Sequence, residues 1–535
     1  MKSEDFKKFQ TTIMGGAIII GLAQVVSRIL GLLRERMLAS TFGAGETLDI
    51  YYAAFKIPDF VFNIIVLGAL SSAFIPVFIE YWNKDKEQKN SSFESFKIAN
   101  SLLNIITLIL LIIGVFVFLF TDQLVSLIAY GFDAEKRRIT GELVRVMYVS
   151  VLFFGASNIV SGVLHSFRRF VAYSLAPIMY NLGIIFGIVF FVPEYGIMGL
   201  AYGVILGAFL HLLVQLPSVY KSGFKYRMVM SFSLPGVKKI GKLVLPRAFG
   251  LGVTQLNQVV ITSIASTLVV GSVAVFNLAN NLQYFPISVF GVSLALSAFP
   301  VFTQAFTENN TSKFVLHFSQ TFRRILFIII PTSIVILLLR AQIVRLVLGS
   351  GNFDWNDTIL TAQALGLFSL SLFAQSLIPM LARSFYAFQN TKTPVIISVI
   401  SMIINIIGSI LLVQPMGVLG LALAFSIASF VNMILLLAAL RTRLGDLDDQ
   451  RIINSTLKII LLSLLMGLMI QGLKYVIGPL VDMQTFFGVL VQTAGSLVGG
   501  GLVYVLLAVK LNFDEVDIIK KFLQKAKNQF ANLRK

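Results

Sequence analysis

The chain contains no cysteine, which excludes disulfide bonds, thiolate metal sites and cysteine nucleophiles. It also has few charges: Asp, Glu, Lys and Arg make up 13% of its 535 residues, about half the share found in soluble domains. The patterns HExxH, GxxxxGK(S/T) and GxSxG do not occur, so zinc hydrolases, P-loop ATPases and serine hydrolases lose support. The sequence predicts no enzyme, no metal site and no cofactor.

The chain is instead rich in apolar residues. Hydrophobic residues make up 57% of it and the mean hydropathy is +0.86. Runs of about 20 apolar residues, long enough to cross a bilayer, recur along the sequence. We therefore predict an all-α polytopic membrane protein with about fourteen transmembrane helices. Their centres fall near Ile20, Ile64, Leu110, Leu152, Ile184, Val204, Val260, Val289, Ile329, Leu370, Ile400, Ala424, Leu464 and Leu497.

The basic residues are spread over short polar segments between these runs. Examples are "NKDKEQKN", "HSFRRF" and "RTRLGDLDDQR", together with a basic C-terminal tail. Lys and Arg accumulate on the cytoplasmic side of membrane proteins, so this distribution explains the net charge of +18 without a nucleic-acid partner. It also predicts that both termini are cytoplasmic.

Several landmarks return after roughly 220 residues. "SSAFIPVF" returns as "LSAFPVF", "LIAYGFD" as "LGSGNFD", "HSFRRFVAYSLAP" as "RSFYAFQNTKTP", and "YGIMGLAYG" as "MGVLGLALA". Six spans separate the copies, so we predict two lobes in the same orientation, related by a parallel pseudo-twofold repeat. The predicted divisions are an N-terminal lobe (1–225), a C-terminal lobe (226–445), an extra helix pair (446–512) and a basic cytoplasmic tail (513–535).

Charged residues inside the first spans are the candidate site. "GLLRERML" places Arg34 and Glu35 in the first span, with Arg28 a turn or two earlier. "LDIYYAAFKIPDF" adds Asp49 and Lys56 on one face of the second span. Because charges in a bilayer are costly, we expect these residues to line a cleft that binds phosphate or pyrophosphate. Arg36 is interpreted instead as an interfacial anchor.

The segments that contain these residues resemble those of a known protein family. "SRILGLLRERMLASTFGAGETLDIYYAAFKIPDF" and "GALSSAFIPVF" resemble the N-terminal signature of the MurJ (MviN) lipid II flippases. "LPRAFGLGVTQLNQ" and "FPISVFGVSLALSAFP" resemble that family's seventh and eighth spans. The family belongs to the MOP exporter superfamily, alongside the MATE drug exporters.

The resemblance implies a multi-pass protein of the bacterial cytoplasmic membrane that moves undecaprenyl-diphosphate-linked muropeptide by alternating access. Its partners would be lipid II or a related glycolipid, membrane lipids and a coupling ion. It also implies a cationic cavity, and a groove at the extra helix pair that accommodates the lipid tail. The family positions that match the candidate site are Arg28, Arg34, Asp49 and Lys56, with Glu35 standing where the family usually has Asp.

Two departures from the family pattern bear on the substrate. Phe62 and Asn63 replace paired arginines in the second span, and Leu67 replaces an acid. Asn281, which is also a candidate substrate-binding residue, stands where an arginine is expected in the eighth span. Arg247, at the start of span seven, is a candidate substitute for the missing cations.

These departures keep three alternative functions open. The first is a flippase for another polyprenyl-diphosphate-linked sugar. The second is a MATE-like exporter of organic cations, although such proteins need buried carboxylates. The third is a non-transporting membrane scaffold that has lost its site.

Overall fold

A computed structural model of the chain describes residues 13–67, 73–87, 93–511, 513 and 515, without the side chains at 13–18, 67 and 245–247. Within these ranges the chain is helical and contains no β-strand. It forms two compact units, the first of residues 1–274 and 350–353, the second of residues 275–349 and 354–535. The prediction of an all-α membrane protein is confirmed.

The first unit is built from eleven helices among the described residues. They are α1 (Ile13–Phe42), α2 (Glu46–Val61), α3 (Ile75–Glu87), α4 (Glu94–Leu119), α5 (Thr121–Ile128), α6 (Ala134–Ser166), α7 (Phe170–Phe186), α8 (Val192–Tyr195), α9 (Ile197–Leu213), α10 (Leu216–Lys221) and α11 (Pro235–Ser266). Two π-helical segments, Phe62–Leu67 and Gly187–Phe191, continue α2 and α7.

The second unit contains the remaining helices of the described chain, of which α12 begins at the boundary between the units. They are α12 (Ser272–Pro286), α13 (Ser293–Thr307), α14 (Thr311–Val347), α15 (Trp355–Leu370), α16 (Leu372–Ala387), α17 (Lys392–Met416), α18 (Val418–Leu444), α19 (Asp449–Ile477) and α20 (Phe486–Lys510). A π-helical segment, Ile287–Val292, joins α12 to α13, and a 3₁₀ turn, Gly478–Leu480, ends α19.

Eleven helices of the described chain are long and apolar enough to cross a membrane. The pair α15 and α16, bent by 48° at its break, makes a twelfth if it counts as one span. These twelve coincide with the predicted spans three to fourteen. Predicted spans one and two contain residues or side chains outside the described ones, so the total of fourteen stays a prediction.

Glycines let α7 and α9 approach closely. A Cβ added at Gly183 would lie 2.3 Å from the Cα of Gly207, and one at Gly187 would lie 2.5 Å from the Cα of Gly203. Within a bilayer helices gain little from the hydrophobic effect, so close backbone packing of small residues holds them together. The spacing of four residues puts these glycines on one face of each helix.

The landmarks that repeat in sequence have matching local geometry. Gly196 precedes α9 with φ 55° and ψ −135°, and Gly417 precedes α18 with φ 56° and ψ −136°. Asp133 caps α6 by accepting a hydrogen bond from the amide of Lys136 (2.9 Å). Asp354 caps α15 in the same way. Each copy of the repeat therefore encodes the same helix starts.

The division of the chain into predicted lobes rests on this repeat. Contacts group α11 with the first unit, whereas the repeat assigns it to the second lobe. The lobe boundaries at residues 225 and 445 therefore stay a prediction. Residues 1–12 and most of the predicted tail lie outside the described part of the chain.

Candidate functional site

Arg34 and Glu35 form the centre of a polar cluster on α1. The guanidinium Nη2 of Arg34 lies 2.6 Å from Oε1 of Glu35, and Nη1 donates to Oδ1 of Asn181 on α7 at 3.2 Å. The hydroxyl of Tyr52 on α2 donates to the other oxygen of Glu35 at 2.5 Å. Glu35 is buried and Arg34 is about one-fifth exposed. Three helices of the first unit thus fix one cation.

Asn181 joins α7 to α1 through both ends of its amide. Its Nδ2 group donates to the backbone oxygens of Ser27 (3.2 Å) and Pro177 (3.0 Å), while Oδ1 accepts from Arg34. Two N–H groups of Arg34 are used by Glu35 and Asn181, and Nε is buried with no acceptor among the described residues. Arginine has five N–H donors. The guanidinium is therefore oriented by the protein while it keeps hydrogen-bonding capacity for an anion.

A second pair of opposite charges lies on α2. Lys56 is partly buried and Asp59, three residues later, is exposed; the two interact electrostatically, and Asp59 also interacts with Arg34. Tyr51 and Tyr180 lie within electrostatic range of Arg34 as well. The cluster therefore contains two cations and two carboxylates and is lined by tyrosines, so its charge is closer to balanced than the sequence led us to expect.

The positions of the missing second-span arginines are filled by packing groups. The ring of Phe62 lies 5.2 Å from that of Phe154 on α6. The amide of Asn63 donates back to the carbonyl of Asp59 at 2.8 Å. Neither residue adds a charge, and the side chain of Leu67 lies outside the described part. Arg34 and Lys56 therefore remain the cations of this cluster among the described side chains.

Asp49 makes a different set of contacts. Its carboxylate is buried and accepts hydrogen bonds from the backbone amides of Gly271 (2.6 Å) and Ala274 (2.8 Å), at the first turn of α12. Gly271 has φ +93°, and a Cβ there would lie 2.1 Å from the carbonyl oxygen of Ala44. Asp49 therefore acts as a helix cap supplied from a distant segment. A role in substrate binding stays a prediction.

The remaining predicted residues lie partly in the first unit and partly in the second. Arg28 lies on an exposed face of α1, and Asn281 is exposed on α12 in the second unit. Arg247 lies in α11, but its side chain is outside the described ones. Arg36, interpreted as an anchor, is partly exposed near the end of α1.

Sequence reasoning missed Asn181 and Tyr52 as members of the cluster, and it noted Asp59 beside Lys56 in the second span without giving it a role. Two signals were available. Asn181 is a lone amide in a long apolar run, and polar residues within spans are costly unless they have partners. Tyr52 and Asp59 stand inside the second-span segment that drew attention to Asp49 and Lys56.

Comparison with known proteins identifies a matching protein family and relatives of this chain. A family model described as "Lipid II flippase MurJ" matches residues 38–525. A probable lipid II flippase MurJ from Buchnera aphidicola subsp. Schizaphis graminum is 28% identical over 96% of this chain and 99% of its own. The lipid II flippase MurJ of Burkholderia cenocepacia is 27% identical over 78% of this chain and 82% of its own.

Solved structures give the same picture. A lipid II flippase MurJ in an inward closed conformation is 27% identical, with a TM-score of 0.76 over 93% of this chain and 100% of that chain. An inward-facing MATE multidrug transporter of the MOP superfamily is 18% identical, with a TM-score of 0.65 over 79% of this chain and 96% of that chain. At that identity the second similarity establishes a shared fold alone.

Proposed function

The chain belongs to the MurJ family of lipid II flippases, and from this premise we propose that it moves lipid II across a bacterial cytoplasmic membrane. It crosses that membrane many times and acts as a transporter rather than an enzyme. The observation that carries the proposal is Arg34, a cation in the predicted first span that three helices hold in one orientation. An ionisable residue inside a membrane is energetically costly, so its presence there indicates a function.

The chemistry of the substrate fits this arginine. Lipid II carries a pyrophosphate, whose oxygens match the planar fork of a guanidinium. Glu35 and Asn181 hold Arg34 in place, so little side-chain entropy is lost when an anion binds. Lys56 supplies a second positive charge to the same cluster. We propose that these two residues bind the pyrophosphate, with Asp59 limiting how tightly they hold it.

Transport requires the site to open to one side at a time, and we propose that contacts within the first unit close one end of it. Asp49 holds the start of α12, Gly131 donates to the hydroxyl of Ser266 at 3.0 Å, and Asn352 donates to the carbonyl of Ser40 at 2.8 Å. We propose that this end faces the outside of the cell and that these contacts break when it opens. They are few and mostly involve backbone groups, which makes such a transition feasible.

Two further parts of the proposal concern topology and energy. The positive-inside distribution supports cytoplasmic termini. Without a P-loop motif, transport must draw on an ion gradient or the membrane potential. Collapsing each gradient separately with ionophores would identify the source, because only the coupled gradient should affect the rate.

Complementation is the experiment that tests the function. A strain depleted of its own lipid II flippase should grow when it expresses this chain. It should fail with Arg34→Ala and grow with Arg36→Ala, a matched loss of one arginine two residues away on α1. Growth with Arg34→Ala at normal protein levels would favour the scaffold alternative. Failure of the unchanged chain in spite of normal membrane insertion would refute lipid II as the substrate.

A further inference from the structure

A polar cavity lies in the second unit, where the chain leaves its last span. Its volume is about 420 Å³. It is formed by α14, by the first turns of α19, and by Leu511, Phe513 and Glu515. The side chains that matter to its chemistry are Arg323, Asp448, Arg451, Asn454, Lys458 and Glu515.

Buried side chains that contact one another form the wall of this cavity. Arg323 and Glu515 are both almost fully buried and form an ion pair. Ser455 also donates to Glu515, at 3.4 Å. The ring of Phe513 is buried and lies 5.9 Å from that of Phe327. Phe513 and Glu515 are thereby fixed against α14 and α19.

The cavity has a positive bias. Three basic and two acidic side chains line it. Both carboxylates already accept hydrogen bonds, Glu515 from Arg323 and Asp448 from the hydroxyl of Ser319 at 2.6 Å. Arg451 and Lys458 are seven residues apart on α19 and so share a helical face. Such a basic pocket selects an anion with several acceptor oxygens.

A neighbouring apolar cavity indicates that the anion is part of a lipid. This cavity, of about 330 Å³, is lined by Phe322 and Thr456 among other residues, and these two directly adjoin Arg323 and Ser455 in the chain. The two cavities therefore lie at neighbouring positions along both α14 and α19. A polar cavity with an apolar one beside it matches an amphiphile with a charged head and a hydrocarbon chain.

The exposed face of α19 beside the polar cavity is apolar and suited to contact with the membrane. Ile453, Leu457 and Leu461 recur every four residues and are more than half exposed. Basic side chains beside an apolar, lipid-facing stripe at the end of a span are a recognised arrangement for binding anionic headgroups. Soluble phosphate would gain nothing from these apolar surroundings.

We propose that the cavity at Arg323, Arg451 and Lys458 binds the phosphate of an anionic lipid whose chain enters the neighbouring apolar cavity. The site is distinct from Arg34 and lies in the other unit. The same phosphate chemistry is offered by a membrane phospholipid and by a polyprenyl phosphate. The proposal does not depend on which lipid the protein transports.

Native mass spectrometry of the purified full chain tests this directly. The protein is titrated separately with phosphatidylglycerol, phosphatidylcholine, undecaprenyl monophosphate and inorganic phosphate. We expect tight retention of one anionic lipid, and binding about thirty-fold weaker in the double variant Arg451→Gln/Lys458→Gln, from the loss of two basic contacts. Lys238→Gln/Lys392→Gln is the matched control, because these exposed lysines lie at the starts of two other long helices.

Each result of this titration either supports or overturns the proposal. Equal weakening in the control variant would show general surface attraction and overturn the proposal, as would equal retention of phosphatidylcholine by the unchanged protein. Competition by inorganic phosphate at the same affinity would overturn the lipid part. Tighter binding of phosphatidylglycerol or of undecaprenyl monophosphate identifies the source, and either result supports a lipid phosphate. Asn454→Trp, which fills the exposed rim while keeping every charge, should also abolish retention.

Discussion

Removing the carboxylate of Asp49 should release the start of α12. Two buried amides, those of Gly271 and Ala274, donate to it at 2.6 and 2.8 Å. A hydrogen bond to a charged group contributes about 1.5–3 kcal/mol. We take the lower value for each of the two bonds, because the released amides can reach water when this segment opens. Asp49→Ala should then lower the free energy of local opening by about 3 kcal/mol. That decrease corresponds to roughly a hundred-fold more frequent opening.

Hydrogen–deuterium exchange of a peptide covering residues 268–276 measures this opening. Exchange should be roughly a hundred-fold faster in Asp49→Ala, and intermediate in Asp49→Asn, which keeps an acceptor oxygen but loses the charge. Asp133→Ala removes a comparable but exposed helix cap and should leave this peptide unchanged. Unaltered protection in Asp49→Ala would refute the capping role, and so would equal exchange in the Ala and Asn variants.

Three further predictions concern packing, the repeat and the polar cluster. Gly183→Ala should lower the thermal-unfolding midpoint through a clash with the backbone of α9 costing about 1–3 kcal/mol, whereas Gly21→Ala, with nothing within 4 Å, should be tolerated. Gly196→Ala and Gly417→Ala should lower the midpoint by similar amounts, since each strains the same backbone conformation by about 1–3 kcal/mol; unequal losses would contradict their equivalence. Tyr52→Phe should destabilise the protein by about 1.5–3 kcal/mol, and an unchanged midpoint would mean that Glu35 does not depend on this hydroxyl.

The fold was predictable because bilayer thickness sets the length of each apolar run. The runs centred near Leu110, Leu152 and Ile184, for example, became α4, α6 and α7 with its π-helical continuation. The repeat was predictable because its landmarks are glycines and capping acids, whose local geometry follows from their own chemistry. Gly196 and Gly417 adopt a conformation that other residues rarely enter.

The cluster was predictable only in part. The cost of charge in a membrane identified Arg34 and Glu35. Their partners are 17 and 147 residues away along the chain, and those contacts depend on the rotation of each helix about its axis. Asp49 illustrates the same limit. Its spacing from Lys56 is readable, but its bond to an amide 222 residues later is set by tertiary packing.

The rate at which lipid II reaches the outer face of the membrane shows whether Arg34 is needed for lipid II transport. It can be measured in cells depleted of their own flippase, by the accessibility of the lipid II headgroup to an impermeant enzyme. Cells that express the unchanged chain or Arg36→Ala should expose lipid II. Arg34→Ala should slow exposure by at least about thirty-fold, from the loss of charge-assisted hydrogen bonds to pyrophosphate. Equal rates for Arg34→Ala and the unchanged chain would contradict the account.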